Sequence, residues 1–176
     1  MEHTDTITQQ VQRRGTEKPI TILPEENLDK LVDRLQDKRY KLATRLIYRG
    51  GLRTLEGLEI TWQDLKRYED GWRAEITTGL GDRTVFLEGE KLDKLLREFV
   101  EEEGKLFDFD RYTYASKLHS ASNREIQPYT LRRSRAYDLA NDSRLSQKDL
   151  QAFFGWSNPE KVERYQQISS EEVKDE

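Results

Sequence analysis

Residues 46–65 read LIYRGGLRTLEGLEITWQDL, and the fold turns on how that stretch divides. Upstream, Leu42, Ala43, Leu46 and Ile47 share one face of a helix over residues 39–49. Gly50-Gly51 ends that helix, because glycine enters the left-handed conformation that closes a helix without a Cβ clash. Thr54 can then cap a short helix through Leu58, with Glu56 and Glu59 nearby. Arg53 sits in the turn between the two.

Working outward, residues 24–38 carry Leu28, Leu31, Val32 and Leu35 on one stripe with acids in the first turn, which predicts an amphipathic helix. After residue 65 the texture changes. WRAEIT (72–77) and RTVFL (83–87) have the branched and aromatic content of strands, and the glycines between them suit a hairpin turn. A third short strand is expected at 66–68. A helix returns over 90–103, where Leu92, Leu95, Leu96 and Phe99 form the stripe, and further helices are expected at about 111–121, 128–141, 146–154 and 158–167. The fold class expected is α+β, mostly helical with a small antiparallel β-sheet. At 176 residues the chain suits one domain. Its division is expected to be a flexible N-terminal segment (1–20), one domain (21–168) and an acidic C-terminal tail (169–176).

Composition removes several classes of chemistry. With no cysteine, disulfide frameworks and thiolate metal sites are impossible, and His3 and His119 are too far apart for a histidine cluster. No apolar run approaches the roughly 20 residues that span a bilayer, so a soluble, cytoplasmic protein is expected. The net charge of −4 hides an uneven distribution. Arg111, Lys117, Arg124, Arg132, Arg133, Arg135, Arg144 and Lys148 face only Glu125, Asp138 and Asp142 across the same segment. Such a basic stretch fits a phosphate-binding face, and it fits a solvated helix surface as well.

Three ordered stretches resemble the catalytic domain of the tyrosine recombinase (phage integrase) family. LIYRGGLRTLEGLEITWQDL (46–65) is similar to the family's helix–Gly-Gly-Leu-Arg turn, which implies Arg53 as a first catalytic arginine and Glu56 as its companion. IQPYTLRRSRAYDLA (126–140) resembles the Pro-His-x-Leu-Arg box, with Arg132 as the second arginine and Tyr129 at the histidine position. LQAFFGWSNPEKVERYQQ (150–167) resembles the segment that ends on the nucleophilic tyrosine, with Trp156 nine residues before Tyr165. The resemblance implies a DNA breaking-rejoining fold, double-stranded DNA as partner, self-association on DNA, and neither metal nor cofactor. It further implies DNA contacts from Arg83, Arg133 and Arg135.

The residue types suit that chemistry. A phosphodiester resists attack because its oxygens are already negative, and a transition state at phosphorus needs that charge neutralised. Guanidinium groups stay charged and grip phosphate with paired hydrogen bonds. A tyrosine that attacks phosphorus keeps the bond energy in a 3′-phosphotyrosyl ester, so a 5′-hydroxyl can religate. Two departures stand against the family pattern. The hairpin turn TTGLGDR (77–83) lacks the lysine usual at or near Thr78–Leu80, and Tyr129 puts at the histidine position a phenol, which is not a ready base near neutral pH. A degenerate, DNA-binding or regulatory module is therefore the alternative expectation.

Overall fold

The computed structural model describes residues 6–12, 18–69, 71–78, 81–99 and 103–166. An antiparallel hairpin of β1 (Gln9–Val11) and β2 (Ile20–Ile22) comes first. A 3-10 turn at Glu25–Asn27 leads into α1 (Leu28–Arg34), followed by α2 (Lys38–Gly50) and α3 (Thr54–Leu58). A three-stranded antiparallel sheet, in the order β3 (Leu65–Tyr68), β4 (Gly71–Thr78), β5 (Gly81–Leu87), follows in the chain. Then come α4 (Glu90–Glu98), α5 (Arg111–Ala121), α6 (Pro128–Ala140), α7 (Gln147–Phe154) and α8 (Glu160–Tyr165). The mostly helical α+β class is as the sequence indicated.

Local chemistry sets the ends of the elements that matter most. The predicted helix over 24–38 is shorter, because Leu35 turns extended and the Asp37 carboxylate accepts the Arg39 N–H at 2.7 Å, starting α2 afresh. Gly51 closes α2 at φ 57°. Arg53, rather than Thr54, precedes the first turn of α3, and its N–H is satisfied by the Glu56 carboxylate at 2.8 Å. Pro128 opens α6, where a missing N–H costs nothing. Ser146 and Asp149 cap α7 reciprocally, and Gly155 ends it at φ 73°.

Strand register decides which side chains point inward. Trp72 pairs with Leu87, Ala74 with Val85 and Ile76 with Arg83, so these six share one face. All of them except Arg83 are buried apolar residues of the main core, which also takes Leu42, Leu46 and Ile47 from α2.

A second apolar cluster joins the N-terminal hairpin to the C-terminal helices. Val11, Ile20 and Ile22 pack with Ala136, Tyr137, Leu150, Phe154, Val162 and Tyr165. Within the segment expected to be flexible, Ile7 is fully buried, and Asn27 donates to its carbonyl at 2.8 Å. Three apolar residues spread through a polar stretch suffice when each lands on the core side of a hairpin. Residues 1–5 and 13–17, the hairpin turn at 79–80 and the tail expected at 169–176 lie outside the described residues. No helix among the described residues is long and apolar enough to cross a membrane.

Candidate active site

Arg132 organises the site. It sits on α6 with only 3% of its surface exposed, and its guanidinium donates to two backbone carbonyls: Gly51 at 2.6 Å and Phe154 at 2.9 Å. Both acceptors lie at helix ends, where carbonyls have no intrahelical partner. A single side chain thereby ties the end of α2 to the end of α7. Burial, followed by the like charges of Arg53 and Arg83, pulls its pKa down to about 10, so it stays a cation at neutral pH.

Glu56 faces this group. Arg83 grips its carboxylate with both terminal nitrogens, at 2.6 and 2.9 Å, while Arg53 donates its backbone N–H at 2.8 Å and a terminal nitrogen at 3.2 Å. Burial pushes this carboxyl up. The hydrogen bonds from Arg83 and the Arg53 backbone, with both guanidinium charges, overcome it and hold the group below its ordinary value. Arg53 is the most open of the three arginines, with 34% of its side chain exposed.

An aromatic stack continues from this cluster. The Arg132 guanidinium lies 5.3 Å from the Phe154 ring centre, Phe154 stacks on Trp156 at 4.6 Å, and Trp156 stacks on Tyr165 at 5.8 Å with the planes 3° apart. Asn141 donates to the Tyr165 carbonyl at 2.9 Å, which anchors the end of α8 to the end of α6. Tyr165 is 7% exposed. Gly51 is obligatory here, since a Cβ on it would collide with Phe154.

The fold agrees with the comparison that decides the family: the model of the phage integrase family matches residues 21–172. The chain belongs to the phage integrase family. Among solved structures of that fold, the XerH site-specific recombinase bound to difH substrate in a pre-cleavage complex aligns over 88% of this chain at 16% identity, TM-score 0.71. The catalytic domain of bacteriophage HP1 integrase aligns over 82% of this chain and 85% of its own, at 20% identity and TM-score 0.65. The Tn1549 transposon integrase, in complex with circular intermediate DNA, aligns over 88% of this chain at 17% identity, TM-score 0.67. The chain spans about half the length of the XerH chain, 52%, and 63% of the Tn1549 integrase chain. A search of curated protein sequences returned no match.

Within this integrase-family domain the sequence-predicted residues separate into two groups. Arg53, Glu56 and Arg132 converge, and Trp156 and Tyr165 join them through Phe154. Tyr129 is exposed at the start of α6, with the Arg133 guanidinium 5.8 Å from its ring. Arg83, Arg133 and Arg135 do not form an open basic surface. Arg83 is inside the cluster with 9% of its side chain exposed, and Arg133 donates to the Thr21 carbonyl at 3.3 Å. Arg135 is buried one helical turn beyond Arg132, against Tyr48. It lines a separate cavity of 810 Å³ with Arg49, Asp138, Phe86, Leu150 and Phe153. Among the described residues no group of three or more His, Cys, Asp or Glu is arranged to hold a metal.

Sequence reading missed the structural part of the site. Arg83 was legible as a problem, because alternation in RTVFL puts it on the same face as Val85 and Leu87, and a charge on a buried face needs a partner. The helix-end carbonyls of Gly51, Phe153 and Phe154 carry no side-chain signal at all.

Proposed function

We propose that this domain cleaves and rejoins DNA strands, with Tyr165 as nucleophile and Arg53 and Arg132 as the groups that neutralise the phosphate. The observation that carries this reading is three guanidiniums crowded around one carboxylate, linked by an aromatic stack to a tyrosine. Like charges held together at a cost in repulsion leave a positive surplus, which suits an anion that gains charge as it reacts. In the reaction the phenol oxygen of Tyr165 bonds to phosphorus and gives up its proton. The bond to the 5′-oxygen breaks, and that oxygen takes up a proton as it leaves. The resulting phosphotyrosyl ester is reversed by attack of a 5′-hydroxyl. The Trp156 indole N–H can donate to a phosphate oxygen but cannot relay a proton. Without a lysine in the 77–83 turn, a slow chemical step is expected, since general acid–base help is worth about 10²–10⁴-fold.

A second reading, a DNA-binding module without strand cleavage, is favoured by the burial of Tyr165. Nicked duplex DNA that prevents religation separates the two. The wild type should accumulate a covalent protein–DNA adduct that Tyr165→Phe abolishes while both bind DNA equally. Salt-sensitive binding with no adduct in either protein supports the module, and indifference to DNA at low salt rejects both.

A further inference from the structure

Arg83 occupies a position that the fold alone would give to an apolar side chain. Its register partner is Ile76, and its neighbours two and four residues along, Val85 and Leu87, are buried in the main core. The side chain is nonetheless satisfied on three sides. Two terminal nitrogens hold Glu56, and Nε donates to the Phe153 carbonyl at 2.9 Å. Gly155 lies alongside; a Cβ there would come within 3.2 Å of the Arg83 side chain, so the missing side chain leaves the guanidinium its space. Arg83 and Arg132 thus act as parallel clamps. One joins Glu56 to Phe153, the other joins Gly51 to Phe154, and the two acceptors at the end of α7 are consecutive carbonyls.

Burying an ion pair where hydrophobic packing would serve gives a fold little, because desolvation offsets the attraction. What the pair does supply is geometry: a planar fork with three fixed N–H directions. We propose that Arg83 is a positioning residue, which through Glu56 and the Phe153 carbonyl holds the Arg53 turn in register with the turn that carries Trp156 towards Tyr165. It touches no reacting atom. The inference rests on the strand-cleavage reading for its effect on rate, but its structural content is independent of that reading.

The decisive variant removes both partners, Arg83→Met with Glu56→Gln, so that no lone charge stays buried. Its melting temperature should remain within about 5 °C of the wild type, since replacing a buried pair by packing is close to neutral. DNA affinity should hold, while single-turnover adduct formation falls about 10²-fold, as a small misplacement of reacting groups predicts. Arg83→Lys, which keeps the charge and loses the fork, should recover less than a tenth of the lost rate. Two readouts need no chemistry. The Trp156 indole N–H resonance should move in Arg83→Lys, and the Glu56 carboxyl should titrate at higher pH. A double variant that keeps the wild-type rate, or full recovery by lysine, overturns the proposal. If no protein forms an adduct, an unmoved Trp156 resonance and unchanged Glu56 titration in Arg83→Lys overturn it on their own, and movement of both upholds it.

Discussion

Arg132 and Arg135 lie one turn apart on α6, are both buried, and live in opposite electrostatic worlds. Around Arg132 stand Arg53 and Arg83, with Glu56 as the carboxylate between them. Around Arg135 stand Arg49, Glu25, Asp138 and the Tyr48 phenol, which donates to Asp138 at 2.8 Å. The second group is balanced in charge, two cations against two acids, although among the described residues the buried Arg135 Nε finds no hydrogen-bond partner. The first keeps a surplus of positive charge in partial burial, which is unfavourable until an anion arrives. The same side chain on the same helix sits in a charge-balanced group in one place and in a cationic surplus in the other.

The largest test of this contrast is deletion. Arg132→Ala should lower the rate of adduct formation about 10²–10³-fold, the usual loss for one donor to a developing anion. Arg135→Ala should leave that rate unchanged and cost about 1–3 kcal/mol of stability in a denaturant melt. Next in size is anion binding. Inorganic phosphate at about a hundred times its Kd should stabilise the wild type by roughly 2.7 kcal/mol. That gain should vanish in Arg132→Met and persist in Arg135→Met.

Acid titration distinguishes the two regions by sign. The Glu56 carboxyl is held below its ordinary 4.5, so its stabilisation is present above that pH and is lost as pH falls through the lowered value. Burial raises the Asp138 carboxyl above 3.8, against the hydrogen bond from Tyr48 and the charge of Arg135, so its contribution favours folding in acid and is lost as pH rises. Urea midpoints measured from pH 3 to 7 should therefore lose their steep acid limb in Glu56→Gln, and should lose the decline above pH 3.8 in Asp138→Asn. The smallest expected effect is that of Gly155→Ala. At φ 73° a Cβ costs about 1–2 kcal/mol, and it presses on Arg83 but not on the Arg135 group.

The legible parts of this protein are those where side-chain type sets geometry. Helix α5 (111–121) emerges with the bounds expected, and the short helix ends at Leu58 as expected but begins one residue early, because stops at glycine and capping carboxylates act locally. Arg53, Arg132 and Tyr165 stood out through spacing and likeness. The N-terminal hairpin did not, since Val11, Ile20 and Ile22 form no periodic run; their burial comes from partners more than a hundred residues away. Nor did the fates of Arg83 and Arg135. Alternation marks Arg83 as core-facing and Arg135 lies in a basic stretch, but nothing local names what claims them, a carboxylate and a phenol from other elements.

That hairpin has a mechanical meaning. Val11, Ile20 and Ile22 share their apolar cluster with Val162 and Tyr165, so the first strands of the domain form part of the bed on which the phenol rests. The contact from Val11 to the Tyr165 cluster runs through this apolar packing and not through the three-stranded sheet. Residues 9–11 and the last described helix thus belong to one packing unit.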